Sequence, residues 1–259
     1  MKLGDRMKMY EAQESGRRFM PGLPVYARID GRTFSKFTRG MGRPYDERMQ
    51  DAMIWTTTRL VEETNAVIGY TQSDEISLVW YDNVFFDGRI QKMTSQLGAL
   101  ASVYFLQKAI EYWPDRCSSR PPTFDARVHQ VPSKEEAVNC LLWRELDATK
   151  NSITMAAQTV YGHKQLQNKV SSEKHDMLME KGINWNDYPS SFKRGTYITR
   201  QKKLLELDDE RLKNIPVEYR PRGPIERTVV EQVDLPPLMS IQNKVGVIFH
   251  GEEPIIRSD

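Results

Sequence analysis

Two stretches, Val25-Tyr-Ala-Arg-Ile-Asp30 and Gln72-Ser-Asp-Glu-Ile-Ser-Leu-Val-Trp-Tyr81, decide how this chain folds. In the first, Val25, Ala27 and Ile29 alternate with Tyr26, Arg28 and Asp30, the period of a strand with unlike faces. In the second, Gln72-Ser73-Asp74-Glu75 links a β-rich run at residues 67–71 to another at 76–81. The later run puts Ile76, Leu78 and Trp80 on one face and Ser77, Val79 and Tyr81 on the other. The pair reads as a hairpin.

Helices are expected on either side of that hairpin. Asp46 is placed as the N-cap of a helix in which Met49, Met53 and Leu60 recur at helical spacing. A longer helix carries Ile90, Met93, Leu97, Leu100 and Tyr104 at steps of three and four, a core-facing stripe. Phe124, Ala126 and Val128 mark a fourth strand over residues 123–131. Ser133 and Glu136 then form a capping box for a helix ending near Leu146. The order is β-α-β-β-α-β, the ferredoxin-like arrangement, in which the strands stand 4-1-3-2. First and third strands are then antiparallel neighbours, so Asp30, ending the first, meets Asp74, entering the third.

Residues beyond the fourth strand read as elaboration: a helix over 147–161, a loop over 182–189, a strand over 192–200 and a Pro/Arg-rich loop over 216–224. The expected fold class is α+β, with a catalytic core at residues 1–140 and a helical and loop extension at 141–259 packed on it.

Two aspartates converging on one sheet edge suit phosphoryl transfer assisted by magnesium. That ion prefers hard oxygen ligands and is held by one or two carboxylates plus substrate phosphates. Two such ions about 4 Å apart stabilise both the attacking and the leaving oxygen. Gly31 lets the backbone pass close to a triphosphate and offers its carbonyl as a further ligand, and Glu75 supports the site from behind. Read singly, each aspartate is an ordinary strand-end or turn residue; the juxtaposition is what points to a cation site.

Composition sets bounds without naming a function. Charged residues make up 28% and the hydrophobic set 39% of 259 residues, as in a soluble globular chain. No run approaches the roughly 20 apolar residues of a membrane span, and no membrane association is expected. The N-terminal stretch lacks the apolar centre of a signal peptide. Two cysteines, Cys117 and Cys140, form neither a disulfide framework nor a zinc pattern, so a cytoplasmic protein is expected. His129, His163, His175 and His250 lack ligand spacing. Net charge is only +2, but Lys193, Arg194, Arg200, Lys202 and Lys203, followed by Arg211, Lys213, Arg220, Arg222 and Arg227, gather late in the chain. Such a run is either solvated surface or a footprint for phosphates.

Several motifs also resemble a known family. Arg28-Ile-Asp-Gly-Arg-Thr-Phe-Ser-Lys-Phe37 and Tyr70-Thr-Gln-Ser-Asp-Glu-Ile-Ser77 are similar to signatures of the tRNA-histidine guanylyltransferases, the 3′-to-5′ polymerases. Phe124-Asp-Ala-Arg-Val128, Trp143-Arg-Glu-Leu-Asp-Ala148 and Phe192-Lys-Arg-Gly-Thr196 follow in the same order. The resemblance implies a polymerase-palm-like core and two magnesium ions on Asp30, Asp74 and the Gly31 carbonyl. It implies nucleotide contacts, for ATP and GTP, from Asp30, Gly31, Arg32, Thr33, Phe34, Ser35, Ser73 and Asp74, with Arg43, Arg89 and Lys92 on triphosphates. It further implies tRNA as partner and a homotetramer.

Where the eukaryotic branch has His-Ile-Asn-Asn, this chain reads Thr149-Lys-Asn-Ser-Ile153, closer to the bacterial, archaeal and phage guanylyltransferase-like proteins that repair tRNA 5′ ends against a template. The rival reading from topology alone is a non-catalytic RNA-recognition motif, but Ile76-Ser-Leu-Val-Trp-Tyr81 lacks that motif's aromatic pattern. A nucleotide cyclase or similar palm enzyme is a third.

Overall fold

The computed structural model describes residues 1–208, 212–221 and 223–257. In chain order its elements begin α1 (Leu3–Ser15), β1 (Val25–Gly31), α2 (Phe34–Phe37), α3 (Glu47–Thr64), β2 (Ile68–Gln72) and β3 (Glu75–Trp80). Next come α4 (Ile90–Tyr112), α5 (Pro114–Ser119), β4 (Phe124–Gln130) and α6 (Lys134–Ala157). There follow α7 (His163–Leu166), α8 (Ser171–Glu180), α9 (Ser190–Arg194), β5 (Thr196–Leu205), β6 (Ile225–Val233) and α10 (Lys244–His250).

All six named strands join in one sheet, ordered β4-β1-β3-β2-β5-β6, and every neighbouring pair is antiparallel. The expected pairing of first and third strands is present, with Asp30 opposite Glu75. Asp46 caps α3 by accepting from the Arg48 amide, and Ser133 caps α6 by accepting from that of Glu136.

Both faces of the sheet are covered. On one side Val25, Ala27, Ile29, Ile76, Leu78 and Trp80 pack against α3 and α4. Gly69 of β2 admits α3 closely, since a Cβ there would meet Thr57 and Val61 at 2.7 Å. On the other side Tyr26, Ile68, Tyr70 and Val79 pack under Val138 and Leu141 of α6 and under α10. The face read as the polar side of β1 and β3 is therefore largely interior: Tyr26 is 1% exposed and donates to the buried Ser77 hydroxyl at 2.6 Å.

Three expectations change. The two helices placed at 133–146 and 147–161 are one, α6, ending at Ala157. The boundary near residue 140 falls inside that helix, and the C-terminal half adds β5 and β6 to the common sheet. The strand placed at 192–200 begins only at Thr196, because Ser190–Arg194 forms α9 and Gly195, at φ +86°, turns the chain into β5. A Cβ at Gly195 would stand 2.6 Å from the Tyr70 hydroxyl, so glycine is required there both by φ and by space. Strand β6 had no counterpart in the sequence reading. Among the described residues, no helix is long and apolar enough to cross a membrane.

Candidate active site

The end of β1 is tied to the hairpin turn: the Gly31 amide donates to the Asp74 carbonyl at 3.0 Å. Ser73, at φ +55°, makes that turn in two residues. Its hydroxyl donates to the Asp74 carboxylate at 3.2 Å. Asp74 is half-buried, and its carboxyl is pushed up to about 6 by burial and, next, by the charge of Asp30. A carboxylate whose ionisation is opposed by burial and by a neighbouring carboxylate forms a natural seat for a divalent cation. A side chain at Gly31 would overlap the Phe34 ring, so the backbone here stays bare for close approach. Among the described residues, no group of three or more His, Cys, Asp and Glu forms a metal cluster. A two-carboxylate site of the magnesium type completes its shell from phosphates and water, and this donor set fits it.

Asp74 and Ser73 also line a cavity of about 400 Å³, together with Phe34, Ser35 and Arg43. That volume lies in the range of small-molecule sites. Its remaining wall mixes polar residues, among them Asp46, Thr71, Gln72 and Gln158, with Met49 and Met53 from α3, Met155 from α6, and Tyr45 stacked on Phe192 at 4.8 Å between ring centroids.

Asp30, Gly31, Arg32 and Thr33 precede that wall without lining it. Thr33 takes the left-handed φ of +56° that starts α2, and the Arg32 amide donates to Thr123 at 2.8 Å. Arg89 and Lys92 stand apart from the cavity, at the beginning of α4, with their cationic groups 5.9 and 4.5 Å from the Phe86 ring centre. Neither is in an ion pair among the described residues.

Glu75 is committed elsewhere. Arg144 of α6 grips both its oxygens, at 2.5 and 2.9 Å, and Arg28 lies 3.8 Å away. Burial raises the Glu75 carboxyl against these two cations; the bidentate geometry keeps it a carboxylate. Its placement pins α6 to the entry of β3. Arg144 and Asp125, the latter opposite Asp30 on β4, were not singled out from sequence. Both sit within motifs quoted above, yet only the landing of α6 brings Arg144 to Glu75, and only the pairing of β4 brings Asp125 opposite Asp30.

The basic run late in the chain is partly spent on ion pairs: Lys202 meets Glu226 at 2.6 Å and Lys203 meets Glu231 across β5 and β6. Arg211 and Arg222 lie outside the described residues.

Residues 4–132 match the family described as tRNAHis guanylyltransferase. A bacterial tRNA(His) guanylyltransferase-like protein in complex with ATP superposes with a TM-score of 0.71 at 37% identity, over 76% of this chain and 88% of that one. A bacterial structure of the same description, in complex with GTP, gives 0.69 at 28% identity over 92% and 93%. The tRNA(His) guanylyltransferase of Neurospora crassa is 28% identical over 217 residues, 77% of this chain and 73% of the relative. This chain belongs to the tRNA(His) guanylyltransferase family, a family of nucleotidyltransferase enzymes.

Proposed function

We propose that this protein adds nucleotides in the 3′-to-5′ direction to the 5′ end of tRNA, copying the opposite strand to repair truncated ends. The observation that carries the reading is the meeting of Asp30 and Asp74 at the edge of a nucleotide-sized cavity that Asp74 itself lines. The strand order of the first four strands, with α3 and α4 on one face, supports a ferredoxin-like, polymerase-palm core. ATP and GTP, which the similar bacterial proteins bind, are the nucleotides we assign.

In this reading the tRNA 5′ end is first activated as a triphosphate or an adenylylated end. The 3′-hydroxyl oxygen of the incoming nucleotide bonds to the activated phosphorus, pyrophosphate or AMP leaves in line, and the hydroxyl proton passes to solvent. Asp30, Asp74 and the Gly31 carbonyl would hold two magnesium ions. When bound, these ions supply charge neutralisation at the attacking and leaving oxygens. Phe34, Ser35, Ser73 and Arg43 enclose the nucleotide, with Arg32 and Thr33 in the adjoining turn. Arg89 and Lys92 form a separate pair of cations for the second phosphate group that the reaction brings together. Glu75 acts through Arg144 as a positioning residue. A cytoplasmic homotetramer completes the proposal.

A non-catalytic RNA-recognition motif fits less well. The face on which such a module stacks bases is covered here by α6, and Tyr26 and Tyr70 beneath it are 1% and 2% exposed. The test supplies tRNAs lacking their first nucleotide, with the opposing base varied, and each of the four nucleotides in turn. Addition should follow the opposing base in several tRNAs. If only G is added, whatever the opposing base and only to histidine tRNA, the repair reading is wrong.

A further inference from the structure

Trp143, on α6, is 57% exposed although its helical neighbours Leu141 and Glu145 are buried. Its indole is dressed by cations: the guanidinium carbons of Arg144 and Arg28 lie 4.7 and 6.0 Å from the ring centre. Glu75 engages both arginines, and Glu75 is the register partner of Asp30. Arg127, opposite Arg28 on the sheet-edge strand β4, is exposed, its nearest carboxylate being Asp125 at 3.9 Å. An exposed indole with two guanidinium groups over it, and a third opposite Arg28 on the neighbouring strand, matches a nucleobase with its phosphates.

Its position along α6 gives the surface a direction. Met155, in the wall of the nucleotide cavity, lies twelve residues further along the same helix, about 18 Å at the helical rise. Arg144, gripping Glu75 beside the aspartate pair, follows Trp143 directly. The cavity and the indole therefore stand apart along α6, and Glu75, which follows Asp74 and pairs with Asp30, is held at the indole end. Extension of a 5′ end against a template leaves an unpaired nucleotide opposite the gap, so an exposed base stands next to the reacting end.

We propose that Trp143 is the stacking platform for that unpaired base of the strand opposite the growing 5′ end, with Arg28, Arg127 and Arg144 beside its phosphates. The inference rests on the proposed 5′-end addition. Stacking on an indole tolerates all four bases, as copying of an arbitrary template requires.

The test uses the full chain and two RNA hairpins with the same duplex, one blunt and one with a 3′ overhang carrying a fluorescent adenine analogue that dims on stacking. Trp143→Ala should weaken binding of the overhang hairpin roughly ten- to a hundredfold and restore its fluorescence. Binding of the blunt hairpin and the melting temperature should stay unchanged, and Trp143→Phe should retain most of the affinity and dimming. Equal weakening for both hairpins, or wild-type binding and dimming in Trp143→Ala, overturns the platform. So does a wild-type protein that does not distinguish the hairpins. If the overhang effects appear but the wild-type protein adds no nucleotide, the platform stands and the 5′-addition reading falls. If addition occurs and Trp143→Ala behaves as wild type, the reverse holds.

Discussion

Burial, and after it the charge of Asp30, lifts the Asp74 carboxyl to about 6. A folded-state value above the unfolded one means that the metal-free protein is favoured by protonation. That stability is complete below about pH 4 and is lost as the pH rises through about 6. Asp74→Asn removes the ionisable group, so by scanning fluorimetry it should raise the melting temperature of metal-free protein more at pH 7.5 than at pH 4. The same variant, and Asp30→Asn, should lose on the order of a thousandfold in nucleotide addition, the scale of a missing cation ligand. Wild-type turnover by either folded variant would remove the cation site; a melting gain equal at both pH values would mean that Asp74 is not held as described. Both aspartates were legible from the sequence because a strand end and a two-residue turn are local features. The grip of Arg144 on Glu75 was not, since it depends on where a helix sixty-nine residues away in sequence comes to rest.

Among the elements, α6 was read as two helices because its buried stripe runs through polar residues. Leu141, Glu145, Ala148 and Ser152 follow one another at helical spacing and all are buried, but only two of them are apolar. Glu145 accepts from the Tyr197 hydroxyl and from the Leu238 amide, both at 2.9 Å. It thereby joins α6 to β5 and to the C-terminal segment. Glu145→Ala leaves that hydroxyl and amide buried without a partner, which should cost about 3 kcal/mol, read by urea denaturation. Glu145→Gln, which keeps an oxygen acceptor, should cost less; equal losses would point to packing rather than hydrogen bonding. Strand β6 escaped the sequence reading for a related reason. The alternation in Ile225–Val233 is weak and the strand is at most half-buried, with Val230 and Val233 packed against the core.

For the whole molecule, RNA affinity should fall steeply between about 50 and 200 mM salt, as for any protein that neutralises several phosphates. The late basic run invited the assignment of those contacts from sequence, but sequence does not reveal which lysines are already neutralised by glutamates across a hairpin. Lys202 and Lys203 are held in close ion pairs, whereas the carboxylates nearest Arg28 and Arg127 stand 3.8 and 3.9 Å away. Joint replacement of the lysines by alanine should therefore flatten the slope of log affinity against log salt less than Arg28→Ala with Arg127→Ala. A flat wild-type dependence, or a larger effect at the lysines, would move the RNA surface to the β5–β6 hairpin. Strand order and the pairing of β1 with β3 were available from the β-α-β-β-α-β sequence of elements. The cover that α6 lays over the second sheet face was not, because polar residues disguise its buried stripe.

One unbroken helix from Lys134 to Ala157 has a further consequence. Adding or deleting a single residue within it turns everything downstream by about 100°. Met155 would swing out of the cavity wall, or Arg144 would lose Glu75. Side chains along α6 are open to exchange wherever they face solvent, while its residue count between Trp143 and Met155 is locked. Insertions that such a fold tolerates are confined to its loops; through this helix the chain evolves by replacement alone.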